Sequence, residues 1–255
     1  MSRQRSARLG VWLGMSAFLL VPCSVRAFED VELFTEQAAQ GGGGARYFTG
    51  SPADPYTCKV CHQNGKSPAA QVSGLPLSGY LPGQAYEITI DWSDTLEHVA
   101  AAAEITDMQG RRAGRVRLPG RAEQKDPELC EDQPVRAAQL LTVAPDSDGE
   151  ACDADAPELS DECRAVVHSR SCGAQRVRFL WTAPSSDSGP LWFAGVVVAG
   201  DGDGTSDADG VSELGSVIAS SSSARSLKVS TGCSALPSSM DRSSWCSMLV
   251  AVAAG

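Results

Sequence analysis

The chain has 255 residues, with 31 acidic against 21 basic side chains and a formal net charge of −10. That balance argues against nucleic acids and anionic lipid surfaces as partners, because both are polyanions. Hydrophobic residues make up 42%, enough for a buried core and too many for a disordered chain.

Residues 1–27 read as a secretory signal peptide. Arg3, Arg5 and Arg8 precede an apolar run from Leu9 to Pro22, and Ala27 closes a small-residue cleavage site. The run is too short to span a bilayer comfortably. Cleavage after Ala27 removes four basic residues and no acidic one, which takes the charge to −14. Cys23 follows Pro22, a poor context for lipid attachment. Eight cysteines remain, an even number in a chain bound for an oxidising compartment. Arg outnumbers Lys and Asn64 is the only asparagine, the residue usage of a GC-rich bacterial genome. The expected location is secreted, periplasmic or cell-surface, with no stable transmembrane helix in the mature chain.

Residues 28–50 form a flexible lead-in. Phe28 to Gln40 has room for a helical turn or more, ended by the run Gly41 to Gly44. Residues 51–80 are rich in Pro, Gly and Ser and contain Cys58-Lys59-Val60-Cys61-His62. Two thiols three apart followed by an imidazole is the attachment pattern of a c-type haem. The thiols form thioethers to the porphyrin, and the adjacent His becomes an axial iron ligand. Tyr47, Phe48 and Tyr56 are aromatic neighbours that could cover one porphyrin face. Residues 28–80 hold no Met and no second His, so a distal ligand has to come from His98, Met108 or His168. Two other readings compete. One is a Cys58–Cys61 disulfide, or two separate bridges, stapling the segment to the body of the protein. The other is a zinc site completed by His98 or His168, which an oxidising compartment disfavours.

A strand-rich region follows. Tyr86, Ile88, Ile90 and Trp92 alternate with polar residues, as do Val177, Phe179 and Trp181. Both tryptophans belong to the core on this pattern. Val99 to Thr106 is a strand or a short helix, its four successive alanines leaving the type open. Val116 to Leu118, Val135 to Val143, Leu214 to Ile218 and Ser226 to Ser230 are further strands, and Leu191 to Val198 is an apolar run suited to a strand covered on both faces. Short strands, Gly/Pro turns and no long amphipathic helix predict an all-β antiparallel sandwich. Residues 121–174 interrupt it with an acidic, disulfide-tied insertion carrying Cys130, Cys152, Cys163 and Cys172, whose pairing the spacing does not decide. Cys233 and Cys246 complete the disulfide candidates.

Asp201, Asp203, Thr205, Asp207 and Asp209 alternate oxygen donors up to Gly210, a pattern for a calcium loop. The spacing departs from an EF-hand, because Ser206 stands at the sixth position and Ser212 at the twelfth. A solvated acidic turn is the other reading. His98 and His168 are isolated histidines, and no nucleophile elbow, HExxH pair or phosphate loop is present. No catalytic residue is assigned, and the chain is not expected to be an enzyme.

Four stretches together carry a family resemblance. They are Thr49 to Pro52 leading into CxxCH, Gly79-Tyr80-Leu81-Pro82-Gly83-Gln84-Ala85-Tyr86 running to Ile90, Val177 to Pro184, and Gly189 to Val196 running into Gly202 to Ser206. In order and spacing the chain resembles the bacterial choice-of-anchor V domains, which are similar to the reeler (Reelin N-terminal) domain. The resemblance implies an immunoglobulin-like β-sandwich over residues 51–230 on an exported or surface-anchored protein. The long cysteine-rich insertion departs from the family. So does the tail, residues 231–255, a degenerate sorting signal whose apolar end, Trp245 to Gly255, is about half the roughly 20 residues a spanning helix needs. The expected function is non-catalytic binding or adhesion to an unidentified extracellular or cell-envelope partner. The alternatives are a c-type haem protein for electron transfer or sensing, and a calcium-dependent interaction domain.

Overall fold

The computed structural model describes residues 34, 36–37, 43–92, 98–123, 128–130, 137–143, 159–160, 163–202 and 206–221. The signal peptide, most of the Phe28 to Gln40 segment, the Ser226 to Ser230 strand and the tail lie outside the described residues. The strands are β1 (Thr49–Ser51), β2 (Asp54–Thr57), β3 (Gln63–Asn64), β4 (Ala70–Ser73), β5 (Ala85–Trp92), β6 (His98–Asp107), β7 (Arg112–Ala113) and β8 (Arg115–Arg117). They continue as β9 (Ala138–Val143), β10 (Leu159–Ser160), β11 (Arg164–Ser169), β12 (Arg176–Thr182), β13 (Leu191–Gly200), β14 (Asp207–Glu213) and β15 (Ser216–Ile218).

Two sheets make an antiparallel β-sandwich. The smaller runs β4-β5-β12-β8. The larger runs β10-β7-β6-β13-β14-β3, with β11 pairing β6 and β9, and β15 pairing β13. Alternation fixes which side chains meet between them. Ile88, Ile90 and Trp92 of β5 and Phe179 and Trp181 of β12 face Val99, Ala101, Ala103 and Ile105 of β6 and Leu191, Phe193 and Val197 of β13. Both tryptophans are core residues, as their alternating strands predict.

The alanine run settles as strand. β6 pairs with β13 along its whole length, and it is buried on both faces. Its outward side chains, Ala102 among them, lie under the lead-in, where Phe34 and Tyr47 pack on Ala102, Val166 and Val196. Small side chains let this extra layer approach the sheet closely, and that close packing outweighs the weak strand preference of Ala.

Ion pairs fasten the lead-in. Glu104 of β6 and Arg164 of β11 form a bidentate pair at 2.6 and 3.2 Å, and both are buried. Asp54 of β2 lies 3.9 Å from the same guanidinium and accepts from the Tyr47 and Phe48 N–H groups at 2.6 and 2.8 Å. Thr49 Oγ1 donates to Glu104 at 2.5 Å, and Arg164 lies 4.8 Å over the Tyr47 ring. The outer face of the smaller sheet is tied similarly, with Arg178 held by Glu128 at 2.9 Å and Glu87 at 3.2 Å.

The acidic segment 121–174 joins the sandwich through β9, β10 and β11, which extend the larger sheet beyond β6 and β7. The Cys130–Cys172 disulfide closes it. Cys163 is also disulfide-bonded, and its partner lies outside the described residues, as do Cys152, Cys233 and Cys246. Among the described residues no helix is long and apolar enough to cross a membrane.

Candidate functional site

The lead-in delivers the CxxCH segment to the outer strand of the larger sheet. Cys58 to Val60 form one 3-10 turn, and the Cys61 and His62 N–H groups both donate to the Cys58 carbonyl, at 3.2 and 2.9 Å. β3 then pairs with β14, the one parallel contact among the described strands, with Gln63 opposite Asp207 and Asn64 opposite Asp209. The Gln63 N–H donates to Ser206 O at 3.2 Å and the Gly65 N–H to Asp209 O at 3.0 Å.

The β14 register breaks between Asp207 and Asp209. Ala208, inside the break, sits at φ 67°, and Asn64 on the neighbouring strand at φ 68°. A non-glycine residue in the left-handed region is a strained position, costing of order 1 kcal/mol or more. Two such positions meet where the two chains cross. A bulge re-aims side chains, and here it leaves Asp207 exposed while Asp209 is 2% exposed. Asp209 Oδ2 faces His62 Nδ1 at 2.5 Å, with His62 itself only 5% exposed. A carboxylate can only accept, so Nδ1 carries a proton in this contact. The other carboxylate oxygen accepts from the Asp201 N–H at 3.3 Å.

The two thiols differ. Cys61 is exposed and Cys58 is turned inward, its Sγ 3.9 Å from the Phe48 carbonyl. Burial pushes the Cys58 thiol up to about 12, helped by the neighbouring Cys61. Neither is bridged, whereas Cys130, Cys163 and Cys172 are. Lys59 closes the turn onto β14 through Glu213 at 2.6 Å, and the hydrogen bond from Lys59 holds that carboxyl below its usual range.

The distal-ligand candidates separate. His98 starts β6 opposite Gly200 and lies against Gly202, at the same end of the sheet as Asp209. Met108 follows the last residue of the ten-residue β6, roughly 30 Å along the strand. His168 is buried in β11, edge-on to Phe34 at 5.2 Å. Of the calcium-loop donors, Asp203 and Thr205 lie outside the described residues and Asp201 is exposed. Among the described residues no three His, Cys, Asp or Glu converge to hold a metal. Of the aromatic neighbours, Tyr47 is buried against the sheet, while Tyr56 is 48% exposed, as is Val60 at 53%.

The donor set fits a covalently held haem in its chemistry: two unbridged thiols and an imidazole whose Nδ1 is held by a carboxylate, the usual outer partner of a metal-bound His. The burial of the ring sets a condition, since the 58–62 turn has to open before Nε2 can meet an iron.

Several solved structures are similar to this chain. The Reelin-N domain of F-spondin is 11% identical with a TM-score of 0.34, covering 62% of this chain and 93% of that one. Two fragments of the human F-spondin reeler domain are 14% and 15% identical, with TM-scores of 0.31 and 0.30. They cover 61% and 62% of this chain and 93% and 96% of their own. No protein-family model and no curated protein matches the chain.

Proposed function

We propose that this chain is an exported bacterial β-sandwich that works by binding, without catalysis, at the cell surface or outside the cell. One observation carries the reading: its buried charges are used to bolt layers together. Arg164 with Glu104 and Asp54, Arg178 with Glu128, and His62 with Asp209 each join one layer or segment to another. The signal-peptide pattern and the Cys130–Cys172 bridge support export. The sequence likeness to choice-of-anchor V domains points the same way. The test uses the oxidised mature chain, labelled and incubated with cells of the producing bacterium. Saturable retention that excess unlabelled protein displaces is expected. Retention that never saturates would overturn the reading.

A second reading is favoured by the two unbridged thiols in a chain whose other described cysteines are oxidised. Cys58 and Cys61 would hold a c-type haem, His62 would supply a nitrogen to its iron, and Asp209 would keep that ring oriented. The haem would supply one-electron chemistry. The protein is to be exported from a host competent in cytochrome c maturation. A Soret band that survives acid–acetone extraction, and is lost in Cys58→Ser/Cys61→Ser, is the expected result. A colourless product with the mass of the polypeptide alone would sink it.

A further inference from the structure

At the opposite sheet, three strands line up one polar row. Gln71 of β4 stands opposite Asp91 of β5, and Asp91 stands opposite Arg176 of β12. Directly paired residues share a face, so an amide, a carboxylate and a guanidinium lie side by side. They border a cleft of about 610 Å³ whose walls also include Ala69, Ala70, Trp92 and Gln175. Its size falls within the range of small-molecule sites. One donor in the lining is left over. Arg176 Nε is buried, and its 3.3 Å approach to Asp91 is an ion pair with no directed hydrogen bond. Buried donors of this kind are uncommon and call for an acceptor.

The charge of the lining narrows the ligand. Asp91 neutralises Arg176, so an anion meets a carboxylate and a cation meets a guanidinium. The chain's net charge of −10 further opposes polyanions. A neutral group that both donates and accepts satisfies every member of the row: it donates to Asp91 and accepts from Arg176, and it can do either with the two glutamine amides. Hydroxyl groups have this property. We propose that the cleft binds a neutral saccharide, an inference that rests on the binding-module reading and gives it a site and a ligand class.

The test is an array of neutral, sialylated and sulfated oligosaccharides probed with the oxidised mature chain. Retention confined to neutral glycans is expected. Asp91→Asn and Arg176→Gln should each weaken it about tenfold or more, the scale of a lost hydrogen bond to a charged group. Gln71→Ala, at an exposed position that cannot unfold the protein, should weaken it too, while Arg115→Gln elsewhere on the same sheet should not. Binding to no glycan, binding only to charged glycans, or binding that the three cleft variants leave unchanged would overturn the inference. Saturable cell retention that persists in Asp91→Asn would then show that the binding-module reading survives without this cleft.

Discussion

Tyr47 is a buried phenol whose hydroxyl has no hydrogen-bond partner, so its contribution is the ring: it stacks under Arg164 and seals the lead-in against the sheet. Burial raises its pKa to about 12, and it raises that of the Cys58 thiol to about 12 as well. The linkage has a definite sign. Above pH 9 for Cys58 and pH 10 for Tyr47 the unfolded chain loses these protons while the folded chain keeps them, so the native state binds more protons. Stability is therefore complete below that range and falls as pH rises towards 12, by up to about 1.4 kcal/mol per pH unit for each group. Thermal melts between pH 8 and 11.5 should show the decline. Tyr47→Phe should be close to neutral at pH 7, because it removes an unsatisfied hydroxyl, and should flatten the decline above pH 10. A variant that melts much lower at pH 7, or keeps the full alkaline slope, would refute this role. None of this was legible in the sequence, where Tyr47 stood as an aromatic neighbour of CxxCH. Its burial depends on Glu104 and Arg164, 60 residues apart in the chain and joined only through the β6–β11 pairing.

At the scale of elements, the strands with clean alternation were readable, because a two-residue period survives wherever one face is buried. β5 and β12 follow the alternating runs Tyr86 to Trp92 and Val177 to Trp181, while β13 was readable as the continuous apolar run Leu191 to Val198 of a strand covered on both faces. β11 was missed, since only Ala165, Val166 and Val167 are apolar between Arg164 and His168, and the charged ends gave no sign of burial. β14 was masked by its aspartates, which read as a loop. Their meaning changes with the bulge at Ala208, a feature set by the crossing of β3 rather than by local composition. That crossing depends on two glycines. A Cβ on Gly65 would collide with the Ala208 carbonyl, and one on Gly210 with the Lys66 carbonyl. Backbone atoms cannot step aside cheaply, so Gly65→Ala or Gly210→Ala should undock the 58–65 segment, with a loss of about 1–3 kcal/mol. Carboxymethylation of Cys58 at neutral pH reads the effect directly. The half-buried thiol should react slowly in the parent and at least about tenfold faster in either variant, with Cys61 reacting quickly in both. Equal Cys58 rates would mean that the crossing tolerates a side chain.

For the whole molecule, the described chain is a sandwich with a third, thinner layer on its larger sheet, and the two are held by different forces. The sandwich buries the aromatic and β-branched residues of both sheets. The lead-in buries only a small cluster around Phe34 and Tyr47 and relies on ion pairs and on the His62–Asp209 clamp. Apolar burial stabilises in proportion to area, whereas buried ion pairs return little beyond their desolvation cost. The outer layer should therefore open without the sandwich unfolding. Native-state hydrogen exchange tests this: amides of residues 49–65 should exchange through a partial opening, at least about tenfold faster than those in the middle of β6 and β13. Asp209→Asn, which weakens the clamp while keeping its shape, should accelerate residues 58–65 and leave β6 and β13 unchanged. If residues 49–65 instead exchange only at the rate of global unfolding, the layers form one cooperative unit. The CxxCH turn would then be a permanent part of the sandwich surface, and the opening that axial ligation by His62 requires would be closed to it.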